Sequence, residues 1–254
     1  MEISRFDDAE AFLRHAGPFL RTHAIDNNVM LGIAGRLVDA PWDDAVMVTV
    51  DDGGTPCLAG LMAPPWRLIV STGPAAMAAQ FVSAWTAATG EKVASGTAMN
   101  LHVADRLDGP AGVSGALRFA RAEEAEWVTD AFIQFAIDID ADEFERGESR
   151  RSAAAYMARG EVWVWDVDGS PVSMVCCNRM GSQGARVAPV YTPPGERGRG
   201  YASAAVAALT TRLLDSGADW CAIFADVDNA TTNKIYQRIG YKEHGTYREY
   251  DFEP

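Results

Sequence analysis

The segment VAPVYTPPGERGRGYASAAVAAL, starting at Val187, carries the most chemistry in the chain. A strand pattern leads through a proline-marked turn into Arg197-Gly198-Arg199-Gly200-Tyr201-Ala202, and a helix pattern follows. Glycine lets the main chain come close to a ligand. A helix start offers unpaired N–H donors and the positive end of a dipole. Together they form an anion site suited to a pyrophosphate. Arg197 and Arg199 add positive charge to a chain whose 22 Lys and Arg stand against 35 Asp and Glu. The pattern lacks the third glycine of a dinucleotide fingerprint and the Gly-Lys-Ser/Thr of a phosphate loop. Taken alone, Gly-x-Gly before a helix also serves simple tight turns.

Further on stands Asn229-x-x-Thr232-x-x-Ile235-Tyr236-x-x-x-Gly240-Tyr241. With Arg197-x-x-Gly200-x-Ala202 it resembles motifs B and A of the GNAT N-acetyltransferases, in the family's order. Thr232 and Tyr241 depart mildly from the family's Ala/Ser and Phe. The resemblance covers roughly Ala116 to Phe252 and is nearest to the FR47-like branch, whose members often carry a degenerate GNAT-like N-terminal half. It implies an acyl-CoA N-acyltransferase fold with acetyl-CoA as co-substrate. In this family the strands before the two motifs splay apart and admit the pantetheine. By that analogy Val190, with Ala188 nearby, pairs with the pantetheine. The N–H groups of Arg197, Gly198, Arg199, Gly200, Tyr201 and Ala202 hold the pyrophosphate. Asn229 or Asn233 bonds the pantetheine arm.

Tyr236 is the acid candidate under this resemblance. Amine attack on a thioester must expel a thiolate, and a phenol with an ordinary pKa of about 10 can donate to that sulfur. Asn233 and Tyr236 lie three apart and share a helix face. The other reading of Tyr236 is an anchor packed beside Ile235 and Ile239. Asp226, at the end of a strand, is the nearest carboxylate for a general base; helix capping is an equally good reading. Glu161 is a weaker candidate. The acidic run DIDADEFE (138–145) could attract a cationic amine, or be a solvated surface. The four histidines, His15, His23, His102 and His244, lack ligand spacing, and no metal is expected.

The elements around these residues fall into two similar halves. The first reads as a strand at Ile3–Phe6, a helix capped by Asp7 or Asp8 and broken at Pro18, a helix at Asn27–Leu37, strands AVMVTV, LAGLM and RLIVS, and a helix AAMAAQFVSAWTAAT. The second reads as strand ALRFA, a helix carrying Trp127, Phe132 and Phe135, a helix RRSAAAYMA, a hairpin EVWVWDVDGSPVSMVCC, a strand ARVAPVYT, a helix with its start and stop in ERGRGYASAAVAALTTRLLDSG, a strand WCAIFADV, a helix ATTNKIYQRIG and a strand YKEHGTYREYDF. The turns Asp52–Gly53 and Asp168–Gly169 match at an offset of 116, which suggests a duplication. The glycine-rich GPAGVSG (109–115) is the expected linker. The expectation is an α+β fold, a mixed sheet flanked by helices, with a degenerate domain at 1–115 and a catalytic domain at 116–254. The first half has only STGPAA where the anion loop would fall and is expected to bind no CoA.

The formal net charge of −13 disfavours nucleic acid and anionic membrane as partners. Four cysteines outside any CxxC pair read as buried thiols of a reducing compartment. With no signal-peptide pattern at the start, a cytoplasmic location is expected. The leading expectation is an N-acetyltransferase acting by direct transfer on a small-molecule or protein amine, with a homodimer as an option. Alternatives are a longer-acyl or amino-acid N-acyltransferase, and a non-catalytic acyl-CoA sensor.

Overall fold

The computed structural model describes residues 2–63, 69–70, 82–84, 86–87, 90–107, 112–139, 143–180 and 183–253. STGPAA, most of the expected helix after it, and parts of the glycine-rich and acidic stretches lie outside the described residues. The chain divides into one unit of residues 1–97 with 248–254 and a second of 98–247. The boundary expected at 115/116 falls downstream of this division.

In the first unit, β1 (Glu2–Phe6), α1 (Ala9–Thr22), α2 (Asn28–Asp39), β2 (Val46–Asp52), β3 (Thr55–Met62) and β4 (Ile69–Val70) follow in order. The strands form an antiparallel sheet β1-β2-β3-β4. Asp8 starts α1 by accepting the Ala11 N–H at 2.7 Å. Phe12, Leu20, Met30, Ala34, Met47 and Leu61 are sealed in its core. Pro18 does not end α1, contrary to the sequence expectation; the helix runs through it to Thr22. Gly17 before it has no Cβ to clash with the proline ring, and the apolar face that continues to Leu20 outweighs one lost hydrogen bond.

The second unit starts within β5 (Lys92–Ala104) and contains β6 (Ala116–Phe119), α3 (Ala125–Asp138), α4 (Glu143–Ala158), β7 (Val162–Val167), β8 (Ser170–Met180), β9 (Gly184–Tyr191), α5 (Tyr201–Asp215), β10 (Trp220–Asp226), α6 (Ala230–Arg238) and the first part of β11 (Lys242–Glu253). The seven-stranded sheet has the order β11-β5-β10-β9-β8-β7-β6. It is mixed, since β9 and β10 run parallel and the pairs around them antiparallel. Val206, Leu209 and Leu213 seat α5 on the sheet over Trp163, Trp165, Val175 and Val187. The strand β5 is not among those the sequence predicts. Its run KVASGTAMNLHVA mixes small, polar and apolar residues, so no strand period stands out.

The two expected hairpins correspond, at an offset of 115 rather than 116. Asp51 pairs with Pro56 and Asp52 with Thr55, after a register shift at Val50/Asp51. Asp166 pairs with Pro171 and Val167 with Ser170, after a shift at Trp165/Asp166. Both turns place two residues at positive φ, Gly53 and Gly54 in one, Asp168 and Gly169 in the other. Each hairpin keeps a carboxylate at its base. Asp51 accepts from Ser4 at 2.8 Å, Thr49 at 3.2 Å and His15 Nε2 at 3.0 Å. Burial alone would raise its carboxyl, but these bonds hold it below the usual range.

Asp166 has a stronger partner. Arg118 donates to it at 2.6 and 2.8 Å and to both oxygens of Glu124 at 2.6 and 2.8 Å. The bonds from Arg118 keep Glu124 low, and they override burial at Asp166 with help from the Gly169 N–H. Arg118→Met should therefore lower stability by about 3 kcal/mol or more, because it leaves two half-sealed carboxylates without a cation. Both carboxyls hold protons more weakly folded than unfolded. Their stabilisation is present above the ordinary carboxyl pKa and lost as pH falls through the folded values. Urea midpoints at pH 7 and pH 3 test this, and the variant should lose less between them than the native chain.

Candidate active site

Two local features make an opening in the seven-stranded sheet. The β9–β10 ladder holds only Trp220↔Gly184, Cys221↔Ala185 and Ala222↔Arg186. Beyond Arg186 and Ala222 the strands part. β10 stays with β5 as far as Asp226↔Met99, while β9 stays with β8 as far as Tyr191↔Met174. The register shift on β9 sets two residues, Ala188 and Pro189, opposite Cys176 alone, a bulge that bends the strand at the fork. Ala188 and Val190 therefore lie on an edge of β9 without a β10 partner.

The strand leads directly to the glycine loop. Gly198 and Gly200 have φ of 79° and 82°, the left-handed region that favours glycine. Gly200 is the N-cap of α5 and its carbonyl accepts the Ala204 N–H. The N–H groups of Gly198 through Ser203 have no protein acceptor among the described residues. Tyr201 is buried in the core. A run of bare donors at the start of a 15-residue helix fits an anionic group such as a pyrophosphate.

The two arginines make other bonds. Arg197 donates through Nε to the Thr192 carbonyl at 2.9 Å, pairs with Asp138, and lies over the Tyr191 ring. Arg199 pairs with Glu196 at 3.0 Å and is exposed. Screened pairs of this kind are weak, so either guanidinium can exchange a carboxylate for a phosphate at little cost.

Tyr236 is buried in the core of the unit with Tyr201, Ile239 and Tyr241. Its hydroxyl has no protein hydrogen-bond partner among the described residues. Burial pushes its phenol well above the ordinary value, so the group stays protonated and keeps a hydrogen to donate at neutral pH. Asp226 ends β10 and is exposed; its Oδ1 accepts the Asp228 N–H at 2.8 Å and closes the turn. Its other carboxylate oxygen has no protein partner among the described residues.

Both asparagines serve the helix that carries Tyr236. Asn229 caps α6 by accepting the Thr232 N–H at 3.0 Å. Asn233 donates both amide hydrogens, to the Asp226 carbonyl at 2.7 Å and the Asn229 carbonyl at 2.9 Å. Its oxygen accepts from Asn100 at 3.1 Å and His102 at 2.8 Å. The amide expected to reach a pantetheine arm has no donor left. Asn100 and His102 belong to β5 and are missed by sequence reasoning. The available signal is two polar residues at alternate positions, facing one side of an otherwise apolar NLHVA run.

Residues 124–241 match the family model for the acetyltransferase (GNAT) family. The sheet fork and the glycine loop lie inside the matched stretch. Solved structures share the fold at low identity. A Drosophila protein superposes with a TM-score of 0.67 at 13% identity, covering 97% of this chain and 96% of its own. A GNAT acetyltransferase from Colwellia psychrerythraea gives 0.61 at 12%, covering 100% of both. A GCN5-related N-acetyltransferase from Sphaerobacter thermophilus gives 0.58 at 13%, covering 98% and 95%. No curated protein matches the sequence. Among the described residues no group of three or more His, Cys, Asp or Glu could hold a metal ion, and no helix is long and apolar enough to cross a membrane.

Proposed function

We propose that the protein is an N-acetyltransferase that takes its acyl group from acetyl-CoA and passes it directly to an amine. The observation that carries this reading is the sheet fork opening beside a helix start whose N–H groups are bare. The donors of Gly198 through Ser203 hold the pyrophosphate, with Arg197 and Arg199 beside it. The unpaired edge of β9 at Ala188 and Val190 offers main-chain partners to the amide-bearing arm. The co-substrate supplies an activated thioester. The amine nitrogen bonds the acyl carbon, the carbon–sulfur bond breaks, and the departing sulfur needs a proton.

Tyr236 supplies that proton in this reading. Its burial keeps the phenol protonated, so it offers its hydrogen to the departing sulfur and stabilises the developing thiolate, which takes its proton as it leaves the site. Asp226 is the proposed acceptor of the amine's proton, through the oxygen that does not hold the turn. The second unit is the working one. The first carries the same strand and helix order and the same hairpin, and is proposed as a non-binding relic of a duplication.

Release of free thiol from acetyl-CoA in the presence of small amines, amino acids and N-terminal peptides tests the reading. Amine-dependent release is expected. Its absence across the panel, with coenzyme still bound, would turn the assignment to a sensor of acyl-CoA. Tyr236→Phe should lower kcat by about 100-fold while the Kd for CoA stays within about twofold. An unchanged kcat removes Tyr236 from the acid role.

A further inference from the structure

The polar cluster between β5, β11 and α6 has its hydrogen-bond directions fixed from one end. The two carbonyls of Asp226 and Asn229 can only accept, so the Asn233 amide nitrogen must face them. Its oxygen therefore faces Asn100 and His102, and both must donate to it. Asn100 in turn accepts the Thr246 hydroxyl on its own oxygen at 2.9 Å. His102 thus carries its proton on Nε2. Its Nδ1 is sealed in the interior without a hydrogen-bond partner. The imidazole also meets the Tyr236 ring edge to face, with centroids 5.8 Å apart.

A fully buried histidine with one nitrogen unsatisfied is expensive for a core. A leucine would fill the same space without a stranded polar atom. What the histidine adds is one oriented donor and one ring edge, and both act on the helix of Tyr236. The donor fixes Asn233, one turn before Tyr236 on the same face of α6. The ring fixes the plane of the tyrosine itself.

We infer that His102 and Asn100 are positioning residues for Tyr236, setting the direction in which its hydroxyl points. They lie outside the stretch matched by the family model, on a strand from before it. The inference rests on the acid role proposed for Tyr236. A small angular error in a proton donor is costly, so His102→Leu should lower kcat by about 10- to 100-fold. The Kd for CoA should remain within about twofold, since the α5 donors are untouched. His102→Gln, which keeps a donor near Nε2 but not the ring edge, should recover part of that loss.

The deciding measurement is a double-mutant cycle with Tyr236→Phe in the full chain. If His102 acts through the tyrosine, His102→Leu should add almost nothing in the Tyr236→Phe background. An equal loss in both backgrounds would mean general loosening and overturn the inference. If His102→Leu does not fold, Asn100→Ser carries the same cycle. A readout independent of turnover is NMR of ring-labelled tyrosine. The Tyr236 signal, identified by its loss in Tyr236→Phe, should move in Asn100→Ser, which leaves the imidazole ring and its field in place. An unmoved signal overturns the inference even if no acceptor amine is found, whereas a moved signal without turnover leaves the positioning standing and removes only the transferase reading.

Discussion

A chain cut to residues 116–254 is expected to be insoluble or to lack cooperative unfolding. The cut falls in the glycine-rich stretch that separates the halves by sequence, and it retains every residue matched by the family model. It removes β5, whose Met99 through Ala104 pair with Asp226 through Cys221 in the interior of the sheet. β10 would then keep three ladder pairs with β9 and expose its other edge, an open template for aggregation. Asn233 would also lose the donors from Asn100 and His102, leaving a buried amide oxygen unsatisfied. A chain of residues 98–254 keeps this stretch of β5 and should be the more soluble of the two. Circular dichroism and urea unfolding of both fragments test this; native-like cooperative unfolding of the shorter one would contradict it.

Gly200→Val should abolish coenzyme binding while leaving the fold in place. At φ 82° a side chain pays a strain of about 1–2 kcal/mol, more when β-branched. An added Cβ would meet only Val113 Cγ2, at 3.3 Å, so the interior has little to repack. The expected damage is to the loop conformation that presents the bare N–H groups, which a β-branched residue resists at this φ. Both effects together should raise the Kd for CoA by about 100-fold or more, roughly two steps of 1.4 kcal/mol. Gly198→Ala separates them, because an added Cβ there meets nothing within 4 Å and only the strain of φ 79° remains. It should weaken binding by about tenfold. Calorimetric titration of CoA into the three proteins checks the order, and native affinity in Gly200→Val would refute the loop assignment.

The glycine loop and helix start were legible in the sequence because all their parts are consecutive. Two glycines, a helix start and a preceding strand need no distant residue to be recognised. The cap role of Asn229 is just as local, since an asparagine three residues before the N–H it accepts is a common helix start, yet the sequence reading gives Asn229 only a ligand contact. Asn233 was not legible. Its type and spacing suit a ligand contact, but its partners Asn100 and His102 lie more than a hundred residues away, on an unexpected strand. Pro18 misled for a related reason, because local helix rules do not include the apolar face that carried α1 past it. The hairpin offset of 116 came from matching Asp-Gly to Asp-Gly; the ladder aligns Gly53 with Asp168, two residues with different side chains and the same positive φ.

The place of β5 in the sheet also sets an order of events on the ribosome. Leu101 pairs with Phe224, 224 − 101 = 123 residues later. At about 5–20 residues per second, β5 waits about 6–25 s after it is made before its neighbour exists. During that interval an inner strand is held open on the β10 side in a nascent chain. The segment after residue 115 therefore cannot mature by itself as it emerges; it must recruit a strand synthesised long before, and slowing translation between them would lengthen the exposure to chaperones and proteases.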